Sequence, residues 1–165
     1  DSKNTDRFTK AGIIMLHIYY GDAQGCGALC AGAAVLAAQR EQAVLLVRFA
    51  ADQPIDVPLN AAGVTELLSP LLGQEIGSLD NGSSRIVREF FDSAVRTALS
   101  FKFNMLILEG IFDMIGSNLL PEREAYDFLS NAPDSVEVIA TGTTACEQFI
   151  GLAAKATELK EVEHE

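Results

Sequence analysis

The chain alternates between unbroken apolar runs and stretches of small or amphipathic residues. Residues 12–20, ending His17-Ile18-Tyr19-Tyr20, are nearly all apolar. Residues 43–49, 103–110 and 136–142 read the same way. Runs of this length without polar alternation predict strands buried on both faces, as in a parallel sheet. Between them the period changes. Residues 28–40 are rich in alanine and predict a helix lying close on the sheet. Val64, Leu67, Leu68 and Leu71 fall at helical spacing and predict a helix over 63–72. Residues 74–79 predict a short strand. Residues 85–100 predict the most amphipathic helix. Ile86, Phe90, Phe91, Ala94, Val95, Ala98 and Leu99 fall on one face, and Arg85, Arg88, Glu89, Asp92 and Arg96 lie largely off it. The turn Asp80-Asn81-Gly82-Ser83-Ser84 precedes it, with Ser83 or Ser84 as N-cap. Pro121-Glu122-Arg123-Glu124 opens a helix to about residue 131, with proline in the first turn and acids at the positive end of its dipole. Thr144-Ala145-Cys146-Glu147 has the pattern of a capping box for a helix ending near residue 154. Residues 156–162 read as a short last strand or an acidic tail.

Strands alternate with helices, and the crossovers are long enough for parallel pairing. One three-layer α/β domain over residues 1–165 is the simplest account. Residues 1–11 are polar and expected to be a flexible N-terminal segment. Residues 50–62, with Pro54, Pro58 and Asn60, read as loop. No internal repeat, low-complexity tract or interdomain linker is evident.

In such a sheet the ligand crevice lies at the carboxyl ends of the strands. Strand, glycine turn, helix and strand follow one another over 13–48, the pattern of the first βαβ unit of a nucleotide-binding domain. Residues 21–27, the loop after Phe49, Glu109 and Gly142 are all expected at that end. A working phosphate loop reads G-x-x-x-x-G-K-[ST]; its amides cradle phosphates, its Lys reaches the terminal ones and its hydroxyl ligates magnesium. Aligned on Gly25, the chain reads Tyr20-Gly21-Asp22-Ala23-Gln24-Gly25-Cys26-Gly27-Ala28. Cys26 stands where Lys belongs, Gly27 where Ser or Thr belongs, and Ala28 cannot replace the hydroxyl. The turn and the helix amino end are expected to survive and still attract an anion. Asp22 adds a negative charge beside them.

Glu109 ends the third buried strand, where an acid can hold magnesium or stand solvated. Cys26 and Cys30 lie four apart on one helix, with Cys26 at its amino end, where a thiol pKa tends to fall. A reactive thiol and a buried one are both open readings. Two cysteines and a distant Cys146 do not make a zinc site. His17 reads as a packed or hydrogen-bonded histidine rather than a catalytic one, His164 lies in the acidic tail, and no Ser-His-Asp arrangement is present.

Composition narrows the classes. The 165 residues are 48% hydrophobic and 21% charged, an ordinary globular balance. The net charge of −11 and a pI near 4.5, with twelve scattered basic residues, exclude a nucleic-acid-binding surface. No apolar run reaches the roughly 18 residues of a spanning helix. The polar start lacks the apolar region of a signal peptide, so no membrane association and a cytoplasmic location are expected, with reduced thiols.

These segments, taken in order, resemble the ATP:corrinoid adenosyltransferases. The run from Ile18 to Gly27 is similar to the family's V-Y-T-G-[DN]-G-K-G-K-T. Leu45-Leu46-Val47-Arg48-Phe49 is similar to its V-x-V-Q-F, and Met105-Leu106-Ile107-Leu108-Glu109-Gly110-Ile111-Phe112 to L-L-[IV]-L-D-E-I-N. Ser117-Asn118-Leu119-Leu120 matches a short G-L-[LI] link. The run from Val138 to Glu147 is similar to V-V-L-T-G-R-x-A-P-E, and Leu159-Lys160-Glu161-Val162-Glu163-His164 to E-M-x-x-V-K-H. The resemblance implies a P-loop-NTPase-like (RecA- or Rossmann-like) fold with a mostly parallel central sheet. It also implies ATP with magnesium and a corrinoid as ligands, and a homodimer. The reaction would move the adenosyl group of ATP to a corrinoid cobalt. Residues 21–28 are then the nucleotide-binding segment, with Arg48, Glu109, Gly142 and Thr143 at strand ends beside it. The departures fall on the chemistry. The two Lys positions are Gln24 and Cys26, and the hydroxyl positions are Gly27 and Ala28. The acidic pair is Glu109-Gly110, the Gln before Phe49 is Arg48, and the Arg after Gly142 is Thr143. Two functions therefore compete: a diverged adenosyltransferase of weak or absent ATP-dependent activity, and a non-catalytic relative that binds a corrinoid, a nucleotide or a protein. A thiol-dependent activity at Cys26 ranks below both.

Overall fold

The computed structural model describes residues 15–50, 59 and 63–162. Six strands, β1 (Met15–Gly21), β2 (Val44–Arg48), β3 (Val64–Leu68), β4 (Met105–Glu109), β5 (Glu137–Gly142) and β6 (Lys155–Leu159), form one sheet in the order β3-β2-β4-β5-β1-β6. Every pairing is parallel. Five helices accompany them: α1 (Ala23–Gln39), α2 (Asn81–Ser100), α3 (Ile111–Gly116), α4 (Glu122–Ser130) and α5 (Glu147–Leu152).

Alternate side chains of each strand feed opposite faces. Leu45, Val47, Leu106, Leu108, Val138 and Ala140 face a layer built from α2 to α5, through Val87, Phe91, Phe112, Leu129 and Phe149. Val44, Leu46, Met105, Ile107 and Ile139 face the small stripe Cys30, Ala34 and Ala37 of α1. Both faces are covered, so the five residues of β2 and of β4 are all buried. That accounts for their continuous apolar sequence.

Several elements differ from the sequence expectation. Residues 64–68 are a strand, not a helix: Val64-Thr65 is β-branched and pairs along β2, while Leu67 and Leu68 mimic a helical spacing over too few residues. Leu68 is half exposed at this edge. Residues 76–78 are a single 3₁₀ turn rather than a strand. Helix α2 begins at Asn81, because Asp80 rather than Ser83 or Ser84 supplies the cap, its Oδ1 accepting from Ser83 N at 3.2 Å. Its buried face is Val87, Phe91 and Ala94, while Leu99 is exposed. Pro121 sits at the N-cap of α4, one residue ahead of its first turn. Helix α5 begins at Glu147 with Cys146 as a cap that makes no side-chain hydrogen bond. Helix α3 had no counterpart in the sequence reading. Residues 1–14, most of the expected loop (51–58 and 60–62, with Pro54, Pro58 and Asn60) and 163–165, with His164, lie outside the described residues.

Candidate functional site

The carboxyl ends of β1, β2, β4 and β5 converge on one side of the sheet. A cavity of about 340 Å³ opens there. Helix α1 contributes Ala23, Cys26 and Gly27; the end of β4 contributes Glu109 and Gly110; α3 and its C-cap contribute Asp113 and Ser117; the end of β5 contributes Thr141, Gly142 and Thr143. No lysine or arginine is among the described residues that line it.

Residues 21–28 pass from β1 into α1 with only Asp22 between the two elements. Gly21 closes β1 at φ +117°, and a Cβ there would lie 2.2 Å from the Leu159 carbonyl oxygen, so only glycine fits. The Asp22 amide donates to that same oxygen at 2.9 Å. Helix α1 then starts at once, at Ala23, where the sequence predicted a turn as far as Gly27. Ala23 and Gln24 are good helix formers, and Asp22 is a good N-cap. Its Oδ2 accepts from Gly25 N at 2.8 Å, and its carbonyl accepts from Cys26 N at 2.9 Å. Gln24 and Ala28 are exposed and do not line the cavity.

The dominant polar feature is a buried ion pair. Arg48 and Glu109 end the adjacent strands β2 and β4 in register. Arg48 Nε donates to Glu109 Oε2 at 2.7 Å, with the side chains 5% and 4% exposed. Glu109 is therefore not the solvated strand-end carboxylate that was one of its two readings. Burial raises its pKa above the ordinary carboxylate value, and the hydrogen bond and charge of Arg48 oppose the rise. The next residue, Gly110, has φ +78° and donates its amide to Thr141 Oγ1 at 3.0 Å. Asp113 accepts from the amide and the hydroxyl of Thr143, at 2.9 and 2.6 Å, and so fixes the turn after β5.

Cys26 faces these acids. Burial, then the charges of Asp22, Asp113 and Glu109, push its thiol up to about 11. Its place at a helix amino end predicted the opposite shift; burial and the three carboxylates act against it. Cys30 and Cys146 are raised as well, chiefly by burial. His17 lies toward the amino end of β1, away from the crevice, with Nε2 3.7 Å from Glu137 Oε1.

A family model described as ATP:corrinoid adenosyltransferase BtuR/CobO/CobP matches residues 12–165. The chain belongs to this family. A search of curated proteins returned no match. The ligands of corrinoid adenosyltransferases are, at the family level, ATP and a corrinoid. The residues present fit magnesium triphosphate poorly. Magnesium takes oxygen ligands in near-octahedral order, but Gly27 and Ala28 bring no hydroxyl and a guanidinium lies against Glu109. Among the described residues no group of three or more His, Cys, Asp or Glu is placed to hold a metal. No described helix is long and apolar enough to cross a membrane.

The sequence had singled out Arg48, Glu109, Gly142, Thr143 and the α1 start, and these do cluster. It missed Asp113 and Ser117, because α3 was not read. The available signal was an acid three residues beyond Gly110, on the turn that a left-handed glycine starts.

Proposed function

We propose that this corrinoid adenosyltransferase relative has lost MgATP-dependent adenosyl transfer and retains the crevice as the site of a binding or regulatory module. The observation that carries this reading is the start of α1. The amides of Gly25 and Cys26, which would face a phosphate in an open loop, are accepted within the chain by Asp22. The charge balance supports the same reading: the cavity wall bears carboxylates and no cation among its described residues. A charge-assisted contact contributes about 1.5–3 kcal/mol, so loss of the loop lysine alone lowers triphosphate affinity about ten- to a hundred-fold. A loss of metal coordination adds to that.

A second cavity of about 420 Å³, lined by Phe49, Leu71, Leu79 and Met114, shares Ala50 and Ile76 with the first. Its wall joins these apolar side chains to the polar Gln74 and Glu75, a mixed surface that supports retained contact with part of a corrinoid. The family expectation of a homodimer in the cytoplasm goes with this reading, and sedimentation velocity tests the dimer.

The decisive experiment is titration calorimetry with MgATP, together with adenosylcobalamin formation from reduced cobalamin. No heat at millimolar nucleotide and no product at micromolar protein are expected. Measurable adenosylcobalamin would overturn the proposal. Absorbance titration with a corrinoid alone tests the retained binding role.

A further inference from the structure

Gly27 lies on α1 opposite Glu109. A Cβ at this position would stand 3.3 Å from Glu109 Oε1, tighter than ordinary packing. The carboxylate can retreat only against a tether. Its other oxygen is held 2.7 Å from Arg48 Nε. Both backbones are fixed on neighbouring rungs of the sheet, and the Glu109 carbonyl accepts from Phe49 N at 2.9 Å. The length of the glutamate, its tether to Arg48 and the bare α-carbon at 27 thus make a single fit.

We propose that Arg48, Glu109 and Gly27 are one coupled unit, in which a buried ion pair stands where a loop hydroxyl and a strand-end acid would otherwise meet a metal. This rests on the reading that the site has lost MgATP. A hydroxyl side chain at 27 is overpacked while Glu109 keeps its length and its partner, and the strain is relieved once the carboxylate is shortened or removed. Regaining the loop hydroxyl through position 27 alone therefore carries a stability cost.

Thermal unfolding of the full chain tests the coupling. Gly27→Ser lowers Tm by about 3–6 °C in the native background, from overpacking against a held side chain. In Glu109→Asp the same change costs less than half as much. Glu109→Ala supplies a second shortened background should the aspartate variant be too unstable to measure. Gly32→Ser, on the same helix with nothing within 4 Å of its Cβ, is the control and leaves Tm unchanged or higher. Equal losses in the native and shortened backgrounds, or no loss in the native one, overturn the inference. So does a Gly27→Ser/Glu109→Asp protein that fails to fold when Glu109→Asp folds. MgATP binding to the unaltered protein would instead sink the functional reading and leave the measured coupling standing.

Discussion

Removal of Arg48 is the sharpest perturbation the structure offers. In Arg48→Met the carboxylate of Glu109, 3% exposed, loses its guanidinium and stays enclosed. Breaking a buried pair from one side costs about 3–5 kcal/mol, because a charge is left without compensation. For a chain of this size each kcal/mol moves Tm by about 2–4 °C, so the loss is about 6–20 °C. The pH dependence makes the argument specific. Burial already raises the Glu109 pKa above its ordinary value of 4.5, and both contributions that hold it down come from Arg48. Without them the folded pKa rises further. Between the unfolded and folded pKa values the folded state binds more protons than the unfolded one, so stability falls as pH rises through that window. The cost of Arg48→Met is therefore greatest above the raised folded pKa and shrinks toward the ordinary carboxylate value. Urea unfolding of both proteins at about pH 8 and about pH 5 measures it, since shared titrations cancel in the difference. A loss below about 1 kcal/mol at the higher pH, or one that does not shrink at the lower, would refute the reasoning.

Three other outcomes follow from the same geometry. Asp22→Ala removes the oxygen that accepts from Gly25 N and lowers stability by about 1 kcal/mol, while Asp22→Asn, an equally good cap, is nearly neutral; urea midpoints check both. Gly110→Ala forces a Cβ to 2.7 Å from the Ala50 carbonyl oxygen at φ +78°, so a cost of about 2–5 kcal/mol is expected in the same assay. Alkylation of Cys26, followed by peptide mass spectrometry, accelerates about tenfold per pH unit toward about 11, and a plateau by about pH 9 contradicts the carboxylate cluster around it.

The sheet was legible because β2, β4 and β5 are buried on both faces, and continuous apolar runs state that directly; β1 carries a similar run although one of its faces is only half covered. The edge strand β3 was not: it is five residues long and covered incompletely, and Leu67 and Leu68 carried the spacing of a helix. The start of α1 was misread for a local reason. Glycines at 21, 25 and 27 suggest a turn, yet the capping residue Asp22 and the helix formers behind it decide the backbone. The Arg48–Glu109 pair spans 61 residues of sequence, so no local pattern reveals it. Its signature is a lone basic and a lone acidic residue, each ending a strand that is otherwise wholly apolar. Two such ends brought to neighbouring rungs must meet.

The strand order bears on how the molecule is made. The first of the described strands, β1, has as its two neighbours the last two described, β5 and β6. During synthesis its hydrogen-bonding edges wait for residues 137–159, while β2 finds β3 within a short stretch. A nascent chain thus carries an unmated apolar ribbon until those residues are made. Assembly is postponed until the C-terminal strands emerge, which makes folding slow and exposes the unfinished chain to association with its neighbours.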